Sequence, residues 1–263
     1  MNDIPGMLTI AKLKKQSAED LQIILKQEIY YKYAGFNTTT QFILPNQTLR
    51  FSRPAVFNDP FDSNEDLLDI HIDPASVRDF AKKDLDKFPK QIQDKLVELA
   101  THPGTYRAAL QKEKEHFKIC CFSTKPDDIL MWSHYADKHT GICLGFKFPV
   151  MGKEFSMYPV RYIDQIRKLQ GMADTTLIFN YWLTRKPLCW AYESEMRAVS
   201  RTGIDDISYA KEQLKEVIFG CRVTEQQIAG IIQQMKELGF DNIVFKKMAI
   251  DAATFLLKAQ PLY

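Results

Sequence analysis

An α+β fold in one domain is what this sequence of 263 residues predicts, on three observations. Apolar runs of period two, which read as strands, are interspersed with runs whose apolar residues recur every three or four positions, which read as helices. No repeat, low-complexity tract or composition break marks a linker. One stretch, about 74–116, is highly charged and helical throughout and stands as an insert between strands. With 45% hydrophobic and 26% charged residues, the chain can bury a core without staples.

The elements follow in order. Ser17 with Asp20 marks a helix start, and Leu21, Ile24, Leu25 and Ile29 recur at helical spacing. "YYKYAGF" (30–36) turns strand-like, "NTTTQFIL" from Asn37 reads as a short helix, and "QTLRFS" (47–52) as a second strand. "FNDPF" (57–61) is then a rigid bend: Asn58 and Asp59 bond their own backbone, Pro60 fixes φ, and Phe57 and Phe61 anchor the turn in the core. Breaks at Phe88-Pro89 and His102-Pro103-Gly104 divide the insert into three helices. After it come the strand "FKICCFS" (117–123), the helix "PDDILMWSHYAD", and the strands "GICLGFKF" (141–148) and "YPVRYI" (158–163). "TTLIFNYWLTRK" reads as helix and "LCWAYESEMRAVS" (188–200) as strand by its period of two. The last third gives the strand "EVIFG", the capped helix "TEQQIAGIIQQMKELG" ending at Gly239, and the strands "DNIVFKKMAI" and "TFLLKAQ".

Bulk properties set few limits on function. The net charge of +2, from 35 basic and 33 acidic residues, argues neither for nor against a nucleic-acid partner. The cysteines, Cys120, Cys121, Cys143, Cys189 and Cys221, are odd in number and without CxxC spacing, which predicts reduced thiols. "MNDIPGMLTIAKLKKQ" lacks the order of a signal peptide and no 18-residue apolar stretch occurs, so a cytoplasmic protein with no membrane partner is expected. Walker A, GxGxxG, HExxH and GxSxG patterns are absent, which disfavours the common hydrolase, protease and Rossmann classes.

Four clusters bear chemistry. In "IYYKY", Tyr31, Lys32 and Tyr33 alternate across a strand, either as buried tyrosines or as a ring and a cation for a flat or phosphate-bearing ligand. Arg50 and Ser52 share one face of their strand, where they can clamp a phosphate or ribose, or where Arg50 simply pairs at the surface. Met131, Trp132 and Tyr135 read as core. Their neighbour His134 is an acid–base or orienting candidate, and its spacing of five from His139 misses the i, i+4 pattern of a helical metal site, so no metal is expected. In "WAYESEMR", strand alternation puts Glu193, Glu195 and Arg197 on one face, as an exposed ion pair or as a carboxylate site in which the Arg keeps one acid ionised. Such a carboxylate can stabilise the oxocarbenium-like centre of an opening glycosidic bond.

Taken together, "YKY", "LRFSRPAVFNDPFD", "CCFSTKPDDILMWSHYADKHTGICLGF", "VRY" and "CWAYESEMR" resemble the bacterial family of domain of unknown function 2971, from about Tyr30 to the C-terminus. More distantly, the order of these strands is similar to that of ADP-ribosyltransferases. That resemblance implies a split two-sheet β core with peripheral helices, and NAD as the substrate. It also implies a macromolecular acceptor, in a toxin or phage-defence setting. Carried across by position, Tyr33 or Lys32 faces the cofactor, Ser52 holds the nicotinamide riboside side, Glu195 is catalytic and Glu193 assists the acceptor. Asn58 and Asp59 stand at the rim of that cleft, with Arg50 and His134 beside the cofactor. The rival expectation is a non-enzymatic module whose Lys32, Arg50, Arg53 and Trp132 grip nucleic acid or a partner protein.

Overall fold

The computed structural model describes residues 8–64, 70–71, 89–91, 93–94, 108, 111–149, 152–167, 169–170 and 175–262. Most of the expected three-helix insert at 74–116 therefore lies outside the described residues. The fold is mixed α/β, and the chain divides into two compact units, each assembled from three separate segments.

The larger unit comprises Ile23–Ser52, Lys118–Val160 and Cys189–Tyr263. Among the described residues Thr48–Arg50 and Asp206–Ser208 form a two-stranded sheet in it, and eight strands form its large sheet: β1 (Tyr30–Ala34), β2 (Lys118–Ser123), β3 (Ile142–Phe146), β4 (Ser156–Pro159), β5 (Glu195–Ser200), β6 (Leu214–Phe219), β7 (Val244–Ile250) and β8 (Leu257–Pro261). Their spatial order is β8-β7-β6-β3-β1-β2-β5-β4, and only the β6–β7 pair is parallel. Pairing runs through all eight strands as one large sheet, and its β1–β2 seam rests on a single registered pair, Tyr31 with Ser123.

Both faces of the sheet are covered. On one, Tyr30, Phe122, Leu144, Phe146 and Met196 pack with Ile43 and Leu44 of the helical run Phe36–Asn46 and with Ile228, Ile231 and Met235 of the helix Glu225–Glu237. That last helix starts at a reciprocal Thr224–Gln227 capping box and is followed by Gly239 at φ +73, the left-handed position that favours glycine after a helix end. On the other face, Tyr33, Cys143, Ile218 and Met248 pack against Met131 and Trp132 of the helix Ile129–Tyr135, which Asp128 caps by accepting from two backbone N–H groups. Trp132 is wholly buried and donates its indole N–H to Pro126 O at 2.8 Å, so its ring contributes on the order of 5 kcal/mol of transfer free energy with no polar penalty.

The smaller unit comprises Met1–Gln22, Arg53–Phe117 and Arg161–Leu188. Arg161–Ile163 pairs in parallel with Arg185–Pro187, and Leu169–Gln170 lies between Leu8–Thr9 and Ile70–His71. The helix Thr175–Leu183 buries Ile178, Phe179 and Trp182.

Three local expectations change. The first helix begins at Ile10, not Ser17, because Thr9 Oγ1 already accepts from Lys12 N there. "YPVRYI" is two strands in two sheets, Ser156–Pro159 and Arg161–Ile163. Residues 188–193 are a 3₁₀ helix rather than strand, and Ser194 takes φ +44 before β5 begins at Glu195.

Candidate functional site

Registration across five strands fixes a row of side chains. Glu216 on β6 stands opposite Gly145 on β3, Gly145 opposite Tyr31 on β1, Tyr31 opposite Ser123 on β2, and Ser123 opposite Glu195 on β5. Directly opposed residues project from the same face, so this is one polar row about 19 Å long. Gly145 leaves room in it: a Cβ there would lie 3.0 Å from Glu216 Cβ and 3.3 Å from the Tyr31 ring, a tight fit, and the Tyr31 hydroxyl donates across it to Glu216 Oε2 at 3.4 Å. Burial, reinforced by the Glu216 charge, pushes the Tyr31 phenol well up.

At the other end of the row lie two carboxylates in different environments. Glu195 and Arg197 are both buried, and the guanidinium donates through Nε at 2.9 Å and Nη2 at 3.2 Å, a two-pronged grip on the carboxylate. Opposite Arg197 sits Cys121, whose thiol is pushed well up by burial and then by the Glu195 charge, so it stays protonated. Glu193 accepts instead from the Tyr135 hydroxyl at 2.6 Å. The left-handed step at Ser194 separates the two acids, which therefore do not share a strand face by simple alternation.

Ser123 orders the join between them. Its buried hydroxyl donates to Glu193 O at 2.7 Å and accepts from Lys125 N at 3.1 Å, while Tyr33 donates to Lys125 O at 2.9 Å. The Tyr33 ring stands edge-on to Trp132 at 5.3 Å. Above Glu193, exposed His134 meets the Tyr192 hydroxyl through Nδ1 at 3.1 Å, and Trp190 lies 6.0 Å from the Tyr192 ring, giving a partly open aromatic rim.

Tyr33, Glu193, Glu195 and His134 are thus gathered on one face. The other expected site residues are placed elsewhere. Lys32 belongs to the opposite face, its ammonium 3.0 Å from Cys121 O and 6.0 Å above the Phe122 ring. Burial alone would lower its pKa, but it is raised on balance, with the Glu195 carboxylate among the causes. Ser52 pairs its backbone with Ile119, four residues along β2 from Ser123 and so about 13 Å from the row. Arg50 is exposed and pairs with Asp206 at 2.8 Å and Asp205 at 3.6 Å. Asn58 and Asp59 fall in the smaller unit, where Asn58 is exposed and Asp59 is buried, its Oδ1 accepting from Phe61 N at 2.9 Å. Phe61, expected as a core anchor, is 57% exposed, because the turn that Asp59 closes aims it outward. Lys32, Arg50 and Trp132 do not make one basic, aromatic face, since Trp132 has no exposed surface.

Sequence reasoning missed Ser123, Tyr135 and Tyr192 as members of the site. Tyr135 reads as core from its helical spacing with Met131, and only the partner of its hydroxyl reveals the role.

Residues 131–198 match the family model described as protein of unknown function (DUF2971). The DUF2971 match opens on the helix carrying His134 and Tyr135 and closes within β5, so it contains Tyr192, Glu193, Glu195 and Arg197. No curated protein and no solved structure matches the chain. Among the described residues no helix is long and apolar enough to cross a membrane.

Proposed function

We propose that the Glu193/Glu195 face is an NAD site and that the protein is an ADP-ribosyltransferase-like enzyme, opening the nicotinamide glycosidic bond and passing ADP-ribose to a macromolecular acceptor. The observation that carries the reading is the convergence of Tyr33, from the first strand of the sheet, with the two glutamates of "YESE" beneath an aromatic rim. On this reading Trp190, Tyr192 and His134 offer flat rings against which a nicotinamide or adenine stacks. Glu195, gripped by Arg197, stabilises the ribosyl cation as the C–N bond lengthens. Glu193, oriented by Tyr135, accepts the proton of the attacking group.

The decisive variant is Glu193→Gln, whose amide oxygen still accepts from Tyr135 and so spares the fold. Nicotinamide released from NAD by purified protein is expected to fall about 10²-fold or more in this variant, with an unchanged thermal melt. No calorimetric binding of NAD to the wild type, and no nicotinamide release, overturns the reading.

A further inference from the structure

The smaller unit contains a cavity of about 90 Å³ bounded by Phe61, the 163–166 segment and Arg185–Pro187. Phe61, Ile163, Ile166 and Pro187 give it apolar walls, and Phe61 and Ile166 are large apolar side chains left exposed at 57% and 49%.

Arg185 forms part of the same wall, yet it is only 4% exposed. Among the described residues its hydrogen bonds go to neutral acceptors alone: Nη1 donates to Thr184 Oγ1 at 2.7 Å and Thr184 O at 3.5 Å, and Nη2 to Gln16 Oε1 at 2.7 Å. The Tyr181 ring covers one face of the guanidinium at 4.8 Å. Of its five N–H groups, the Nε–H and one on Nη2 have no acceptor among the described residues, donors of the kind that bind a pair of anionic oxygens.

The surrounding charges do not neutralise it. Arg161 takes Asp20 at 2.7 Å and Glu19 at 3.0 Å, and Lys186 faces Asp62 at 3.8 Å. Among the described residues no carboxylate comes within ion-pair distance of Arg185. Burial accordingly draws its pKa down to about 10, with Tyr181 and Asp20 opposing that shift and Arg161 adding to it. A buried guanidinium satisfied only by neutral acceptors keeps the cost of its lost hydration, and an anion binding at its edge would recover it.

We propose that this cavity binds a small organic monocarboxylate, whose two oxygens take the Nε/Nη2 edge of Arg185 while an apolar body packs against Phe61, Ile163, Ile166 and Pro187. Asp164, exposed on the lining, selects against ions of higher charge. The site and its ligand stand independently of the NAD reading, because every residue in it belongs to the smaller unit.

Benzoate is the probe, with benzamide as its neutral isostere and inorganic phosphate as the polar anion without an apolar body. Benzoate is expected to raise the melting temperature saturably at constant ionic strength, and benzamide and phosphate to leave it in place. Arg185→Met should remove the response. Ile166→Trp, which fills the cavity from its exposed wall and leaves Arg185 intact, should remove it as well, and serves if Arg185→Met does not fold. Equal shifts from benzoate and benzamide, no benzoate shift in the wild type, or a response that survives Ile166→Trp each overturn the proposal.

Discussion

Arg197 is a fully buried guanidinium, and Glu195 supplies a buried opposite charge 2.9 Å from its Nε. Glu195→Gln should therefore cost about 3–5 kcal/mol of stability, read as a fall in the denaturant midpoint, whatever it does to turnover. Glu195→Gln combined with Arg197→Met should recover part of that loss, since both charges of the pair are then gone. Glu193 is the cleaner probe of chemistry for this reason, and the sequence does not distinguish the two acids. His139 supplies a pH test. Its Nδ1 is buried without a partner, and burial together with the Arg222 charge lowers its pKa below the ordinary 6.5. The folded state thus prefers the neutral ring, so this contribution is complete above pH 6.5 and is lost as pH falls below it. Asn tolerates the left-handed φ of +73 at this position, and His139→Asn should flatten the decline in melting temperature between neutral pH and about pH 5.

At the scale of elements, the strands were legible because alternation and β-branched or aromatic runs report burial directly, as in "KICCFS" and "ICLGF". Segment 188–193 was not, because a short 3₁₀ turn leaves no period of its own and Ser194 gives no warning of a left-handed step. The expected strand 47–52 is Thr48–Arg50, paired with Asp206–Ser208, and Ser52 lies beyond it in an isolated bridge to Ile119: which residues lie opposite depends on pairing across dozens of positions, which alternation cannot supply. The junction 136–141 shows the same limit, with Asp137, Lys138 and His139 all left-handed, Gly141 at its end and Gly220 pressed against it. A Cβ on Gly220 would stand 2.1 Å from His139 O and one on Gly141 2.4 Å from Ala34 O. Gly220→Ala must move backbone, and a loss of about 1–3 kcal/mol is expected in urea unfolding.

Across the whole molecule, sequence order and spatial order disagree. β1 sits between β3 and β2, and β6 bridges β3 to β7, so the interior of the sheet joins residues from all three segments of the larger unit. The alternation of helices and strands announced a mixed fold, but nothing local announced this order. Such long-range pairing predicts slow refolding, in milliseconds to seconds, measurable by stopped-flow fluorescence of the buried tryptophans. Amide exchange should be slowest in β1, β2, β3 and β6 and fastest in the edge strands β4 and β8. The order also bears on how the protein is made. While the ribosome is still adding residues beyond 200, β1, β2, β3 and β5 already exist, but β6, the neighbour that covers the open edge of β3, has not emerged. Until then β3 presents an unpaired apolar edge, the kind of edge at which incomplete chains associate wrongly.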